Sequence, residues 1–493
     1  VATKTKRVAL TPGLVTDPGV WSRSPEALST AYNLDLSASG AIQKRRGFSS
    51  NTLNSFSGTV WGVYSSPILE RDIGAGALLL ATGPNTNGST SLRVGIRNST
   101  FSTLTGAGNS SIVLGSNNRP RLATGSDGRD VVTLWEVGGE AGPQVLDYGT
   151  LTARRLGIPR GMGLDRQNTA LSGATGFLSA ASACRYAVLF VLGDPSVNGA
   201  QFGSPGMTSV VTNSTGASAD VATRVLLPRV YGTASTNLPA DTYWVQVYRS
   251  VVQATSAGEP PSELALVYQK IISAADIAAG YVAFTDSVTD VLRGANLYTN
   301  LQTGEDGFAG RGFINSNEPP PVATDIATWA DCMWLSELMD YPTQELQLIS
   351  VGGTGLVAGD TVTVGGVVYT AVAAAPAANQ FIVSAAGTAS VNQRETALNL
   401  VDAINRSASN TSVWAYYVAG QAGLPGRIYL RGRLANSSIA ASTSRAAAFR
   451  IGTEDANNPT LSGLAFSKPL QPWAWPTVNR FELGRGDARI LRI

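Results

Sequence analysis

The chain contains no histidine in 493 residues. Without an imidazole, the Ser-His-Asp and Cys-His arrangements of nucleophilic catalysis cannot be built. Histidine-ligated zinc, iron and copper sites are excluded with them. Only two cysteines are present, Cys184 and Cys332, so neither a four-thiolate zinc site nor a disulfide framework is available. Their surroundings, Ala183-Cys184-Arg185-Tyr186 and Asp331-Cys332-Met333-Trp334, predict two buried free thiols. No stretch approaches the roughly 18 apolar residues of a membrane span, and no signal-peptide pattern follows Val1. The expectation is a protein that folds inside a cell and is assembled there into a particle. Neither a P-loop nor a Gly-x-Gly-x-x-Gly between strand and helix is present. Paired-carboxylate hydrolysis remains open, because it needs only Asp and Glu, but no spacing singles out a pair. No catalytic, cofactor-binding or metal-ligating residue is therefore assigned, and no cofactor is expected.

Charge is also scarce. Charged residues are 14% of the chain, against about a quarter in ordinary domains, and the net charge of +2 gives no bulk electrostatic case for nucleic-acid or membrane binding. Basic residues cluster only at Lys4, Lys6 and Arg7 and at Lys44, Arg45 and Arg46. Each cluster reads as a solvated patch or as a contact to an acidic partner; the second is the candidate assembly contact.

What is abundant is turn-forming. The 53 glycines, with many Ser, Thr and Asn, punctuate a chain whose hydrophobic content of 43% still suffices for folded cores. The length predicts several domains, and the pattern is mainly β. Residues 1–160 read as short strands at Trp61 to Tyr64, Ala77 to Ala81, Leu92 to Ile96, Ile112 to Leu114 and Val131 to Trp135, spaced as in a sandwich or propeller. Residues 161–298 read as a separate sandwich, with strands at Arg185 to Leu192, Tyr243 to Arg249, Leu264 to Gln269 and Tyr281 to Asp286. The aromatics on both faces of Tyr243 to Arg249 predict that both faces are covered. Ser273 to Ala279 reads as a short helical turn. Residues 299–345 contain Pro319 to Pro321, read as a linker back to the first domain. Within Ile326 to Met339, the spacing of Ile326, Trp329, Ala330, Met333 and Trp334 suits a helix, although Cys332 to Leu335 also suits a buried strand.

Residues 346–465 read as an inserted α+β module. Thr361 to Val364 and Val367 to Val372 flank Gly365-Gly366, a two-residue hairpin turn. Ala397, Leu400, Val401 and Ile404 repeat at helical spacing, and Asn392 with Glu395 resembles a capping box. Val413 to Val418 and Arg427 to Leu430 are further strands. Residues 466–493 end on the strand-like run Arg489 to Ile493, so further strands are expected beyond it.

The run Ser24 to Asn33, followed by Gly40-Ala41-Ile42-Gln43-Lys44-Arg45-Arg46-Gly47-Phe48, resembles the opening of tail nozzle proteins of short-tailed bacteriophages, the tail tubular B-like family. Tyr186 to Gly206 with Tyr243 to Ser250, ending in Val247-Tyr248-Arg249-Ser250, is similar to that family's fibronectin-like insertion. Leu297 to Asn300, Asn317 to Pro321 and Trp329 to Leu335 look like the return into its propeller. Gly359 to Ile404 is similar to a small domain inserted in phage tail components. About two-thirds of the chain carries the pattern.

The resemblance implies a β-propeller-like platform with an inserted fibronectin-like β-sandwich and a small α+β domain. It implies a non-enzymatic virion component, made in the host bacterial cytoplasm. About six copies would ring the tail axis, with a portal adaptor and tail fibres or spikes as partners. Genomic DNA would pass through the lumen without sequence-specific binding, so the lumen should avoid strong positive charge. The alternative is a tailspike or receptor-binding protein acting on host surface polysaccharide, with Trp473 and Trp475 stacking on sugars. A surface adhesin is a third reading; Arg485-Gly486-Asp487 and the sequons at Asn98 and Asn213 are frequent by chance in such a chain.

Overall fold

The computed structural model describes residues 34–36, 42–44, 59–83, 91–96, 99–106, 121–125, 128–134, 142–173, 176–228, 238–297, 317–339, 341–418, 425–433, 438–454 and 461–485. The chain divides into two units, Val1–Ser55 and Phe56–Ile493. In the first, Leu34–Leu36 and Ile42–Lys44 form an antiparallel hairpin with Leu36 opposite Ile42. The second unit is mainly β and built from several antiparallel sheets.

Three of these sheets are four-stranded antiparallel meanders. The first takes Thr59–Tyr64, Ala77–Gly83, Ser91–Ile96 and Ser102–Thr103 in chain order. Helix α1 (Pro67–Ile73) links its first two strands. Ser66 caps α1 by accepting from Leu69 N at 3.0 Å, and Pro67 fills a first-turn position where no backbone donor is needed. The second meander takes Arg121–Thr124, Asp130–Leu134, Gly142–Asp147 and Thr152–Arg155, and Thr105–Gly106 adds a short parallel edge. The third takes Val322–Trp329, Cys332–Met339, Leu461–Phe466 and Arg480–Arg485.

The period of two along a strand makes these sheets stack. Leu146 and Ala153 of the second sheet pack with Leu79, Ala81, Leu92 and Val94 of the first. Val131 and Val145, on the opposite face, pack with Ile326, Met333, Leu335 and Ala465 of the third. The second sheet is thus covered on both sides. A buried carboxylate ties the first pair together: Asp130 accepts from Ser66 Oγ, from Tyr148 Oη at 2.9 Å and from Thr124 Oγ1 at 3.0 Å.

Ile326 to Met339 is a hairpin, not a helix. Ala330 and Asp331 at its turn have φ of 49° and 60°, the mirror-image turn whose twist matches the flanking strands. The helical spacing of Trp329, Met333 and Trp334 is incidental to a two-residue turn that interrupts the strand alternation.

The sandwich lies in sequence between the second and third meanders. Its smaller sheet pairs Ala170–Ser172, Asp220–Leu226 and Tyr281–Asp286. Its larger sheet is built on Ser182–Leu192, flanked by Tyr243–Arg249 and then Ala265–Ile271, with Ser209–Asn213 and two short strands on the same scaffold. Tyr243, Val245 and Val247 enter the core between the sheets, while Trp244 and Tyr248 pack with Leu189, Leu264 and Leu297 on the outer side. Both faces of this strand are covered, as its aromatics predict. Ser273 caps helix α2 (Ala274–Ala279) in a reciprocal capping box with Asp276.

Entry and exit of the sandwich are adjacent. Gly157, at φ 84°, lies so close to the triple-proline segment that a Cβ there would sit 2.5 Å from Pro320 Cδ. Trp475 N donates to Glu318 O at 3.0 Å.

The α+β module interrupts the third meander. Thr343–Leu348 pairs with Arg427–Gly432 and Phe449–Ile451, and Val413–Tyr417 extends that sheet. A second sheet orders Gln380–Ile382, Val367–Val372, Thr361–Val364 and Ala441–Thr443. Gly365 and Gly366 turn with φ of 58° and 80°. Helix α3 (Ala389–Arg406) buries Ala397, Leu400, Val401 and Ile404 in the module's core.

Two details differ from the sequence expectation. The cap of α3 is Thr388, accepting from Val391 N, whereas Asn392 lies inside the helix and its amide holds Gly387. Thr343–Leu348 begins the module before residue 346, and Leu461–Phe466 pairs with Cys332–Met339, so it belongs to the third meander.

One buried ion pair crosses the sandwich core. Arg249 donates to Asp286 Oδ2 at 2.8 Å, and both side chains are fully buried. Tyr186 Oη donates to the same oxygen at 2.8 Å. Arg249 also reaches Asp290 Oδ1 at 2.9 Å and lies 3.6 Å over the Phe177 ring. Asp286→Ala, which strands the guanidinium, should destabilise the protein by about 3–5 kcal/mol. Tyr186→Phe should cost about 1–2 kcal/mol. Urea denaturation of both variants checks the order.

Candidate functional site

The third meander carries the one feature its own packing does not use. On its inner face are Ile326, Met333, Leu335 and Ala465. Strand alternation turns the neighbours outward. Trp334 is opposite Phe466, and Leu464 is opposite Phe481. Trp329, at the hairpin end, lies on the same side. The result is an aromatic row across all four strands, one ring from each. Ring centroids are 5.7 Å apart for Trp329–Trp334, 4.7 Å for Trp334–Phe466 and 5.9 Å for Phe466–Phe481. Trp334 Nε1 donates to Trp329 O at 3.2 Å, which fixes the first pair.

The row is open at both ends: Trp329 is 69% and Phe481 47% exposed. The exposed rings at its ends make the row a candidate interaction surface. The last two pairs are stacked, with interplanar angles of 22° and 14°. Trp329, by contrast, is tilted 59° from Trp334.

A second feature is a polar joint between the sandwich and the module. The turn at Arg166–Asn168 meets one face of α3. Arg166 N donates to Asp402 Oδ2 at 3.1 Å, Arg166 pairs with Glu395, and Arg406 pairs with Asp165 Oδ1 at 2.8 Å. Gln167 donates to Asn399 O. Glu395, Asn399, Asp402 and Arg406 share a face because they recur every three to four residues. Burial pushes the Asp402 carboxyl up to about 8, against the pull of Arg166 and Arg406 and with the push of Asp165.

The carboxylates that approach each other, Asp165 with Asp402 and Asp286 with Asp290, are held by arginines. Asp165, Asp286 and Asp402 are buried. Among the described residues, no group of three His, Cys, Asp or Glu is arranged to hold a metal ion, and no helix is long and apolar enough to cross a membrane. Both cysteines are free and buried, and burial raises the Cys184 thiol to about 12, leaving it unreactive.

Lys44 ends the strand Ile42–Lys44. Arg45 and Arg46 lie outside the described residues, as do Lys4, Lys6 and Arg7. Trp475 is buried in the apolar layer between the second and third meanders, with Nε1 donating to Pro472 O, and Trp473 packs against the sandwich core. Asn213 is fully buried, its amide bonded to Leu178 O and Ala217 O. Asn98, Gly486 and Asp487 lie outside the described residues.

The aromatic row was not read from the sequence. Trp329 and Trp334 come from a segment left open between helix and strand, and Phe466 and Phe481 from the stretch 466–493. The available signal was Trp329 and Trp334 flanking a two-residue turn. Comparison with family models, with curated proteins and with solved structures finds no match.

The joint has a pH signature. Asp402 holds its proton in the folded state up to about pH 8, while an unfolded Asp loses it near pH 4. Between these values the folded state binds the extra proton, so stability falls as pH rises from about 4 to about 8 and then levels. The groups facing Asp402 are Asp165, Arg166 and Arg406. Asp402→Asn keeps the acceptor for Arg166 N and should flatten that slope; urea midpoints across this range measure it.

Proposed function

We propose that this chain is a structural component of a bacteriophage short tail, a nozzle protein whose copies ring the DNA channel, retain the genome and then conduct it. In this reading the three stacked meanders are consecutive blades of a β-propeller platform. The sandwich is a fibronectin-like insertion, and the α+β module is a second insertion. The observation that carries the reading is the order of parts: two meanders, a sandwich with adjacent ends, then a third meander interrupted by a module. That order is the one implied by the resemblance at Val247 to Ser250, Asn317 to Pro321 and Gly359 to Ile404. The function is mechanical: the platform forms a wall, the insertions contact neighbours, and no bond is made or broken.

The polysaccharide-binding spike has less support. Trp475 is buried, and Trp473 packs partly buried against the sandwich core.

A cryo-EM reconstruction of the virion that carries this chain tests the reading. A ring around an axial channel below the portal is expected. A three-fold prism on the particle's periphery would overturn it. Charge reversal at Lys44, Arg45 and Arg46 should impair tail incorporation while the monomer stays folded; normal incorporation refutes the role of that cluster.

A further inference from the structure

We propose that the outward face of the module's first sheet is a docking surface for an acidic segment of another protein, one whose carboxylates alternate with apolar side chains. The inference goes beyond the nozzle reading and does not depend on it.

The sheet orders Val413–Tyr417, Arg427–Gly432, Thr343–Leu348 and Phe449–Ile451. Its inner face carries Val413, Ala415, Ile428, Leu430, Leu346 and Phe449, which pack with α3 in the module's core. Register turns the alternate residues outward. Trp414 is opposite Arg431, Tyr416 is opposite Tyr429, and Tyr429 is opposite Glu345. Gln347 lies between Arg427 and Arg450. Rings and guanidiniums thus interleave across the sheet. The face is open: Tyr429 is 39% exposed, Arg450 is exposed, and both side chains of the Arg427–Glu345 pair are about a third exposed or more.

The charge on this face is unbalanced. Arg427 pairs with Glu345 at 2.8 Å. Among the described residues, Arg431 and Arg450 have no carboxylate within ion-pair reach. In a chain whose net charge is +2, these two guanidiniums are a local excess that an anionic partner would neutralise. Arg431 is already held in place, with its guanidinium 4.2 Å over the Tyr341 ring. Stacking fixes the plane of the fork and leaves its N–H edge for a carboxylate, so little freedom is lost on pairing. Tyr416 and Tyr429 supply apolar contact between the charged positions, and Tyr, Trp and Arg are the side chains that carry most binding energy between proteins.

Nucleic acid fits this face less well. It stacks bases on open rings and follows a track of cations along its backbone. Here Tyr341 lies under Arg431, and Trp414 lies under Arg433 at 3.7 Å. Glu345 stands among the rings, and the strand Thr343–Leu348 separates Arg431 from Arg450.

The test uses the full chain and a fluorescein-labelled peptide of alternating Glu and Leu, read by anisotropy at low ionic strength. The wild type should bind it, and added salt should weaken the binding. Arg431→Gln/Arg450→Gln should weaken binding at least tenfold, and Tyr429→Ser severalfold. Arg71→Gln, which removes an exposed cation on α1, should bind as the wild type does. Circular dichroism with thermal melting verifies folding. Arg450→Glu, at an exposed position on the sheet's edge, gives the same loss and carries the test should the double variant fail to fold. A wild type that leaves the peptide unbound, an arginine variant that binds like the wild type, or an equal loss in Arg71→Gln overturns the docking surface. Labelled oligo(dT) bound more tightly than the peptide overturns the acidic protein as its partner.

Discussion

A sheet four strands wide has two faces and almost no interior, so each face must find a cover. The second unit is arranged by that need. The middle meander is covered twice, by Leu79 and Leu92 on one side and by Met333 and Leu335 on the other. The first meander is covered once and adds α1, whose Leu69 joins the same core. The third is covered once and replaces the missing cover with rings that shelter one another. Mutual stacking contributes about 0.5–1.5 kcal/mol per pair, whereas full burial of a large apolar side chain contributes about 1.5–3 kcal/mol. At the two ends of the row, Trp329 and Phe481, capacity for burial is left on the side away from the stack.

The insertions obey a related constraint. A domain can interrupt a meander without opening it only if its two ends meet. Gly157 against Pro319 and Pro320 provides this for the sandwich, where the absence of a side chain allows the close approach. Leu346 opposite Ile451 provides it for the module. Beyond these necks, the module touches the sandwich through polar groups on α3 and through Met207, which packs on the module core and accepts from Tyr417 N at 3.3 Å.

The elements that could be read from sequence were those specified locally. Gly365-Gly366 specifies its hairpin, and the repeat of Ala397, Leu400, Val401 and Ile404 specifies the buried face of α3. The alternation of Tyr243 to Arg249 specifies a strand covered on both sides. What could not be read depends on partners distant in sequence. Ala330-Asp331 turns with positive φ although neither residue is glycine, so the segment read as helix or strand with equal ease. Leu461–Phe466 pairs across an insertion of more than a hundred residues, and no local signal states which sheet it joins. The aromatic row fails to show for the same reason. Two of its rings, Phe466 and Phe481, are far in sequence from Trp329 and Trp334, and only the register brings all four together.

Charge is scarce in this chain, and several of its ion pairs lie at seams. Arg121 faces Asp325 across the second and third meanders at 3.8 Å, and Arg160 faces Glu318 at 3.8 Å where the sandwich is entered and left. Arg166 with Glu395 and Arg406 with Asp165 span sandwich and module. Arg249 with Asp286 spans the two sheets of the sandwich. An exposed pair adds little stability, commonly under about 1 kcal/mol, and buried pairs are a weak source of it as well. Their contribution is direction. Apolar faces adhere in many registers, but a guanidinium meeting a carboxylate accepts few. Adhesion from meander faces and orientation from sparse ion pairs at the boundaries together account for a chain with few charges whose parts dock in one arrangement.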